Sequence, residues 1–390
     1  MTLLPFDYAV RNLGRSRARL LLSLLGSALV VLLVLAAAAF VRGMTLSLRS
    51  SGEPNNVIIL GTGSEDSIER SEIEASVASV LNASIPGIRS QNGVPFASPE
   101  VHVQLPVRVG EEQSKGTIIL VRGVTLAAML VHPSVQIIEG RFPRSGHDEI
   151  LVGSSAAIKL GVRPEELAPG RTLRIDARQW TIVGRFVAPG TVYEAEIWAP
   201  LVDIKEATKR LTDSCVIVTL DPDISELADV SVFTRTRVDL ELSAMGETDY
   251  YARLADFFAP IRAVTWITAG LIALGGLFGG LNTMYAAFAS RVREIGTLQA
   301  LGFQRAAIVV SLVQESVLAT TAGSLLAASI GLLLFDGVAV RFSLGVFGLI
   351  IDAQVLGIAL LSGVILGFVG ALPPAIRCLK LPIPIALRAV

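Results

Sequence analysis

The sequence predicts a membrane protein with four transmembrane α-helices and a large α+β extracytoplasmic domain between the first and second of them. Three observations predict it. Of the 390 residues, 52% are hydrophobic and only 17% charged, with a mean hydropathy of +0.61, too apolar for a disordered tail, a coiled coil or an ordinary soluble chain. The apolar residues gather in four long runs. Between the first two runs lies a stretch of about two hundred residues in which β-rich and amphipathic segments alternate.

The four runs are Leu20–Val41, Ala263–Ala289, Ala306–Phe335 and Ala353–Ile376; only the third holds a charge, Glu315. Each exceeds the roughly 20 residues that cross a hydrocarbon core, and each must be helical because lipid offers backbone amides no other partner. The first run is too long for a signal peptide h-region, despite Ala36-Ala37-Ala38-Ala39 near its end, and is expected to be retained. Arginines set the orientation. Arg11, Arg15, Arg17 and Arg19 precede the first run, Arg291, Arg293 and Arg305 separate the second from the third, and Arg377, Lys380 and Arg388 follow the fourth. All three segments fall on one side, which the positive-inside rule makes cytoplasmic, so both termini face the cytoplasm across the inner or plasma membrane. The expected organisation is an amphipathic N-terminal segment at 1–19 and spans at 20–42, 261–290, 306–335 and 353–376. An outer domain and stalk occupy 43–260, a connecting helix 291–305, an outer loop 336–352 and a tail 377–390.

The insertion from Gly43 to Pro260 carries 29 acidic and 20 basic side chains, a net of −9 where the whole chain carries −1. Strands are expected at Asn56–Leu60, Val101–Val109, Thr117–Val124, Glu149–Val152, Thr172–Ile175, Trp180–Phe186, Glu194–Trp198 and Val216–Leu220. Helices are expected at Ser67–Leu81, where Ile68, Ile73, Val77, Val80 and Leu81 share a face, at the segment stopped by Gly161, and at Leu201–Arg210. From Thr248 the pattern is helical and runs, with a break at Pro260, into the second span as a stalk.

Several decoys are set aside. A net charge near zero excludes a polyanion such as nucleic acid as partner. Cys215 and Cys378 fall on opposite sides of the membrane and cannot pair. Gly61-Thr62-Gly63-Ser64-Glu65-Asp66 mimics a dinucleotide-binding turn but replaces the third glycine with an acid, and reads as a turn capped by Asp66 or Ser67. His102, His132 and His147 are dispersed, without metal-ligand spacing, and read as surface residues. Glu111-Glu112 and Glu165-Glu166 read as solvated loops. No catalytic residue, metal site or cofactor is expected in this chain; without a Gly-Lys dipeptide there is no P-loop, so ATP would be bound by another chain.

Two features lie in the spans. Glu315 is an intramembrane carboxylate near the cytoplasmic side, within reach of Arg291 or Arg305, and reads as one half of an ion pair. Gly275, Gly276, Gly279 and Gly280 form overlapping G-x-x-x-G frames, a face for close helix packing or self-association; Gly363 and Gly367 make a weaker frame.

The most informative stretch separates the second and third spans: Arg293-Glu294-Ile295-Gly296-Thr297-Leu298-Gln299-Ala300-Leu301-Gly302. It reads as a short amphipathic helix, apolar at Ile295, Leu298 and Leu301, reversing at Gly302. This run resembles the signature of the FtsX-like permeases, the membrane subunits of the MacB and LolC/LolE kind (type VII) of ABC transporter. Arg141-Phe142-Pro143 with Glu149 to Gly153 is similar to a passage of the MacB-type periplasmic core domain, Ala9 to Leu13 to that family's N-terminal amphipathic helix, and Ile385-Ala386-Leu387-Arg388 to its closing motif. The resemblance implies that Arg293, Glu294, Ile295, Gly296, Leu298, Gln299, Ala300, Leu301 and Gly302 form a coupling helix that docks a cytosolic ABC ATPase, although Gln299 stands where that family has a basic residue. It implies a non-catalytic permease paired with a second copy or a paralogue. It also implies a periplasmic adaptor as a further candidate partner, and motion transmitted to the outer domain for export or extraction of a substrate. The alternative is an FtsX-like regulator of cell-wall hydrolases that transports nothing.

Overall fold

The computed structural model describes residues 6–15, 17–110, 116–342 and 345–387. Glu111, Glu112 and Arg388 therefore lie outside the described residues, as do the side chains of Arg15 and Arg19. The chain divides into a helical unit (Met1–Gly43, Pro260–Val338 and Leu349–Val390) and an inserted domain (Met44–Ala259 and Ala339–Gly348).

In chain order, α1 (Phe6–Arg15) precedes α2 (Arg17–Arg49), whose last turn belongs to the inserted domain. That domain continues with β1 (Asn56–Gly61), α3 (Val77–Ser84), β2 (Ser90–Gln91), β3 (Val94–Pro95), β4 (Ala97–Arg108), β5 (Thr117–Val124), α4 (Ala128–Val131) and β6 (Gln136–Gly140). It is completed by β7 (Glu149–Gly153), α5 (Ala156–Leu160), β8 (Thr172–Ile175), β9 (Arg178–Val187), β10 (Ile197–Pro200), α6 (Leu201–Thr208), β11 (Cys215–Thr219), α7 (Leu227–Thr236), β12 (Leu242–Gly246) and α8 (Glu247–Phe257). Then come α9 (Ala259–Ala289), α10 (Val292–Ala300), α11 (Arg305–Leu334), the hairpin β13 (Ala339–Arg341) and β14 (Val346–Gly348), α12 (Ala353–Leu379) and α13 (Ile383–Leu387).

In the helical unit, α2, α9, α11 and α12 are long and apolar enough to cross a membrane. Small residues let three of them touch. A Cβ on Gly323 of α11 would collide with Ser27 and the Leu24 carbonyl of α2, and a Cβ on Gly363 or Gly367 of α12 would collide with Ser324 or Thr320 of α11. The Gly363 and Gly367 frame thus serves packing inside the chain, as lipid-phase association demands of small residues. At one end Arg42 of α2 donates to Asp352 at 2.7 Å, and Asp352 also accepts from the amide of Val355 to cap α12. At the other end α1, α10 and α13 join a shared apolar cluster that includes Tyr8, Ile295, Ile308, Leu312 and Ala386.

The inserted domain is built on a ten-stranded sheet ordered β12-β1-β11-β4-β5-β10-β7-β9-β6, with β8 bridging β4 and β9. The twelve-residue β4 serves two neighbours in turn: Ala97–Glu100 pairs with β11, and Val101–Val107 with β5. One core, under α3 and α7, holds Ile73, Val77, Leu81 and Val230; another, under α5 and α6, holds Val121, Ile150, Trp180 and Ile204. The hairpin from the 336–352 loop packs in this domain too, where the Lys159 ammonium donates to the Phe342 carbonyl at 2.5 Å. The connections α2–α9 and α11–α12 thus both contribute to this domain, while α1, α10 and α13 share one apolar cluster of the helical unit.

Three local expectations are corrected. Ser67–Leu81 is not one helix: a 3₁₀ turn at Ile68–Arg70 is followed by a bridge between Ile73 and Asp213 and then by α3. Ser67 makes no side-chain cap, and no full helix starts behind the glycine turn. Glu194–Trp198 divides into a 3₁₀ turn at Val192–Ala195 and β10. The expected stalk is packed into the domain, where Tyr250, Tyr251 and Ala255 of α8 are buried, and the break expected at Pro260 falls at Phe258. Pro260 explains the break, because it lacks an amide and its ring crowds the carbonyl four residues back, but fits the first turn of α9.

Candidate coupling surface

The residues that the sequence singles out sit on α10 and around it. Arg291 occupies the break between α9 and α10, with φ −117° and ψ 13°. Its Nε donates to Glu294 at 3.1 Å and its Nη1 to Glu315 of α11 at 2.8 Å. The intramembrane carboxylate is thus paired with Arg291, while Arg305, the other candidate, is exposed. Gly302 adopts φ +91°, the left-handed conformation that a reversal between α10 and α11 requires and glycine tolerates.

α10 has two faces. Val292, Ile295 and Gly296 are buried; Arg293, Thr297, Ala300, Leu301 and Gly302 are exposed; Glu294, Leu298 and Gln299 lie between. A Cβ on Gly296 would stand 2.9 Å from that of Ala386, so this glycine admits α13. The expected docking set therefore splits. Ile295 (3% exposed) and Gly296 face the chain's own core, whereas Leu301, expected on the same apolar face as Ile295, is 71% exposed. The free stripe runs Arg293, Thr297, Ala300 and Leu301, at i, i+4, i+7 and i+8.

Among the described residues, Gly276 of α9 meets the Val30 side chain of α2, whereas Gly275, Gly279 and Gly280 have nothing within 4 Å of where a Cβ would be. Gly276, Gly279 and Gly280 line a cavity of about 340 Å³ together with Ser27, Thr283 and Thr320.

A second constellation, missed from the sequence, lies in the inserted domain where β4 passes from β11 to β5. Arg122 of β5 is fully buried and donates twice to Glu196 at 2.8 Å and once to Glu100 at 2.7 Å. His102 and His132 both approach Glu100 at 2.9 Å. Glu247, the first residue of α8, accepts from Asn56, the amide of Glu53 and the Tyr193 hydroxyl at 2.8, 2.9 and 3.1 Å. The guanidinium lies 4.8 Å from the Tyr193 ring centroid and 5.6 Å from that of Trp198. His102 and His132 are thus interior residues, contrary to the expectation from spacing; His147 is exposed. Burial would raise the Glu100 carboxyl, but His132 and Arg122 hold it well below the usual range. Burial opposes charging His132, yet Glu100 beside it raises the imidazole. A lone arginine inside the apolar run Thr117–Val124 was the available signal, since an unpaired charge there would be prohibitive.

Glu100, His102 and Cys215 each bring a ligand atom within 4.8 Å of the others. As a metal site the trio is poor. The guanidinium already neutralises Glu100, and burial pushes the Cys215 thiol well up, away from the thiolate a metal binds. The network is better suited to tying β1, β4, β5, β10 and α8 together.

Two family models match the chain. Residues 20–230 match the MacB-like periplasmic core domain and residues 266–383 the FtsX-like permease C-terminal domain. The macrolide export ATP-binding/permease protein MacB of Pectobacterium atrosepticum is 23% identical over 96% of this chain, which spans only 59% of that protein's length. The uncharacterized ABC transporter permease YknZ of Bacillus subtilis is 24% identical, over 97% of both chains. The crystal structure of the periplasmic region of MacB from Actinobacillus actinomycetemcomitans matches 54% of this chain and 95% of its own, at 15% identity and a TM-score of 0.40. Two family matches in sequence order, covering the first span with most of the inserted domain and then the last three spans, place the chain in the MacB-like, FtsX-type family of ABC transporter permeases.

Proposed function

We propose that the chain is the non-catalytic permease subunit of an ABC transporter. A separate cytosolic ATPase docks on the exposed stripe of α10, and ATP-driven movement of that helix is passed to the inserted domain, which works on an extracytoplasmic substrate. The observation that carries this reading is the exposed Leu301 beside Arg293 and Thr297, on a short helix whose opposite face is anchored in the chain. Lone exposed leucines are common, but one on a rigid ledge between two spans suits a knob for a partner's groove. In this reading both termini and α10 lie in the cytoplasm, as the flanking arginines favour. A second copy or paralogue would cover the open glycines of α9, and a periplasmic adaptor would extend the system outward.

Affinity capture of the solubilised full chain from its native membrane tests the proposal. An ATPase recovered with it, and lost on Leu301→Asp, supports docking at α10. Recovery of a cell-wall hydrolase beside the ATPase favours the regulator that transports nothing, and absence of any ATPase overturns the proposal.

A further inference from the structure

We propose that Glu294, Arg291 and Glu315 form a clamp that fixes α10 to the foot of α11, so that a load on α10 enters α11 rather than α9. Arg291 is the positioning residue. It stands at the joint between α9 and α10, holding a carboxylate of α10 with one guanidinium nitrogen and a carboxylate of α11 with another, at 3.1 and 2.8 Å. The arginine and Glu315 side chains are only 11% and 7% exposed, which sets this pair apart from the solvent-screened kind. Ten residues into α11, Glu315 stands about 15 Å above the start of that helix by helical rise.

The surroundings of the two candidate levers differ. α11 is gripped on both sides, by α2 at Gly323 and Gly331 and by α12 at Gly363 and Gly367. Only Ala269, Ala287 and Phe288 of the 31 residues of α9 are buried among the described residues, two of them at its foot. Within one chain, α11 is therefore the more tightly held of the two, and packed helices with interlocking small residues move together. The second span is the one that follows the inserted domain directly in the chain. The clamp redirects the path through α11 to α2 and α12. The mechanical half of this inference rests on the reading of α10 as the ATPase dock; the clamp itself does not.

Amide hydrogen exchange on the full chain in lipid nanodiscs tests both halves. Glu315→Gln is expected to accelerate exchange across 292–300 about tenfold, with 321–334 unchanged, because α10 opens without α11 unfolding. The swap Arg291→Glu with Glu315→Arg re-forms the arm to α11 but sets a like charge against Glu294, and should restore part of the protection. Glu294→Gln removes the more exposed arm alone and should give a smaller acceleration, so the clamp is tested even if Glu315→Gln does not fold. Wild-type exchange over 292–300 in either variant that folds overturns the clamp. In a complex with the captured ATPase, nucleotide should alter exchange in both 292–300 and 305–334 of the wild type; Glu315→Gln should keep the first change and lose the second. A nucleotide effect that passes to 259–283 instead overturns the path. Failure to capture any ATPase, with the exchange results as expected, sinks the docking reading and leaves the clamp standing.

Discussion

Arg122 and Glu196 face each other through two parallel hydrogen bonds of 2.8 Å, wholly inside the inserted domain. Bidentate guanidinium–carboxylate geometry is the strongest form of ion pair, yet burial makes its net contribution to stability small. The cost appears when one partner is removed. Arg122→Leu leaves Glu196 and Glu100 buried without their countercharge and should destabilise the domain by about 3–5 kcal/mol. Replacing Arg122, Glu196 and Glu100 together by apolar residues of similar size should cost much less. Urea unfolding monitored by tryptophan fluorescence checks both, since Trp198 donates to Glu196.

His132 carries a pH dependence. Its imidazole is fully buried, and Glu100 raises it above the ordinary value near 6.5. A raised folded-state value means that the folded domain holds the proton more tightly than the unfolded chain. Its contribution is fully present below about pH 6.5 and is lost as pH rises through the folded value. His102 moves the other way, lowered by burial and by Arg122, so its contribution grows as pH rises toward 6.5. His132→Gln should therefore flatten the fall in stability above pH 6.5 and leave the rise below it. Denaturant midpoints across pH 5–9 measure this, and an unchanged upper limb would show that His132 is not the group responsible.

The legibility of the fold follows from the range of the forces involved. Thr117–Val124 and Thr172–Ile175 were readable as strands to the residue, because runs bounded by turn residues are local signals. The helix expected at 67–81 was misplaced although four of its five apolar positions, Ile68, Ile73, Val77 and Leu81, are buried. Periodicity reported burial correctly, but pairing with Asp213, 140 residues away, decided the backbone. Sequence separation also hid the Arg122 network, whose members come from separate elements, with Glu196 74 residues from Arg122. On α10 the sequence located the helix but not which face was free, because α13 covers Gly296 only after folding.

Gly296 is therefore expected to act through the tail. Gly296→Val would drive a branched side chain into Ala386 and displace α13, at a cost of about 1–3 kcal/mol of local packing. Limited proteolysis should then cut the chain between α12 and α13 faster than in the wild type, and Ala386→Gly in the same chain should restore part of the protection. Equal cleavage rates would mean that the approach of the two helices is dispensable.

The open glycines of α9 make the opposite prediction. With nothing within 4 Å of a Cβ on Gly279, Gly279→Leu should leave the fold of a single chain intact, with a stability change within about 0.5 kcal/mol. If a second permease copy packs on this face, the added side chain separates the backbones and weakens association. Gly323→Leu, by contrast, meets Ser27 and the Leu24 carbonyl within the chain and should disrupt the single chain itself. Mass photometry in detergent distinguishes the two: monomers of normal stability for Gly279→Leu, misfolded or poorly recovered chain for Gly323→Leu. Undiminished dimers of the Gly279 variant would place the second copy on another face.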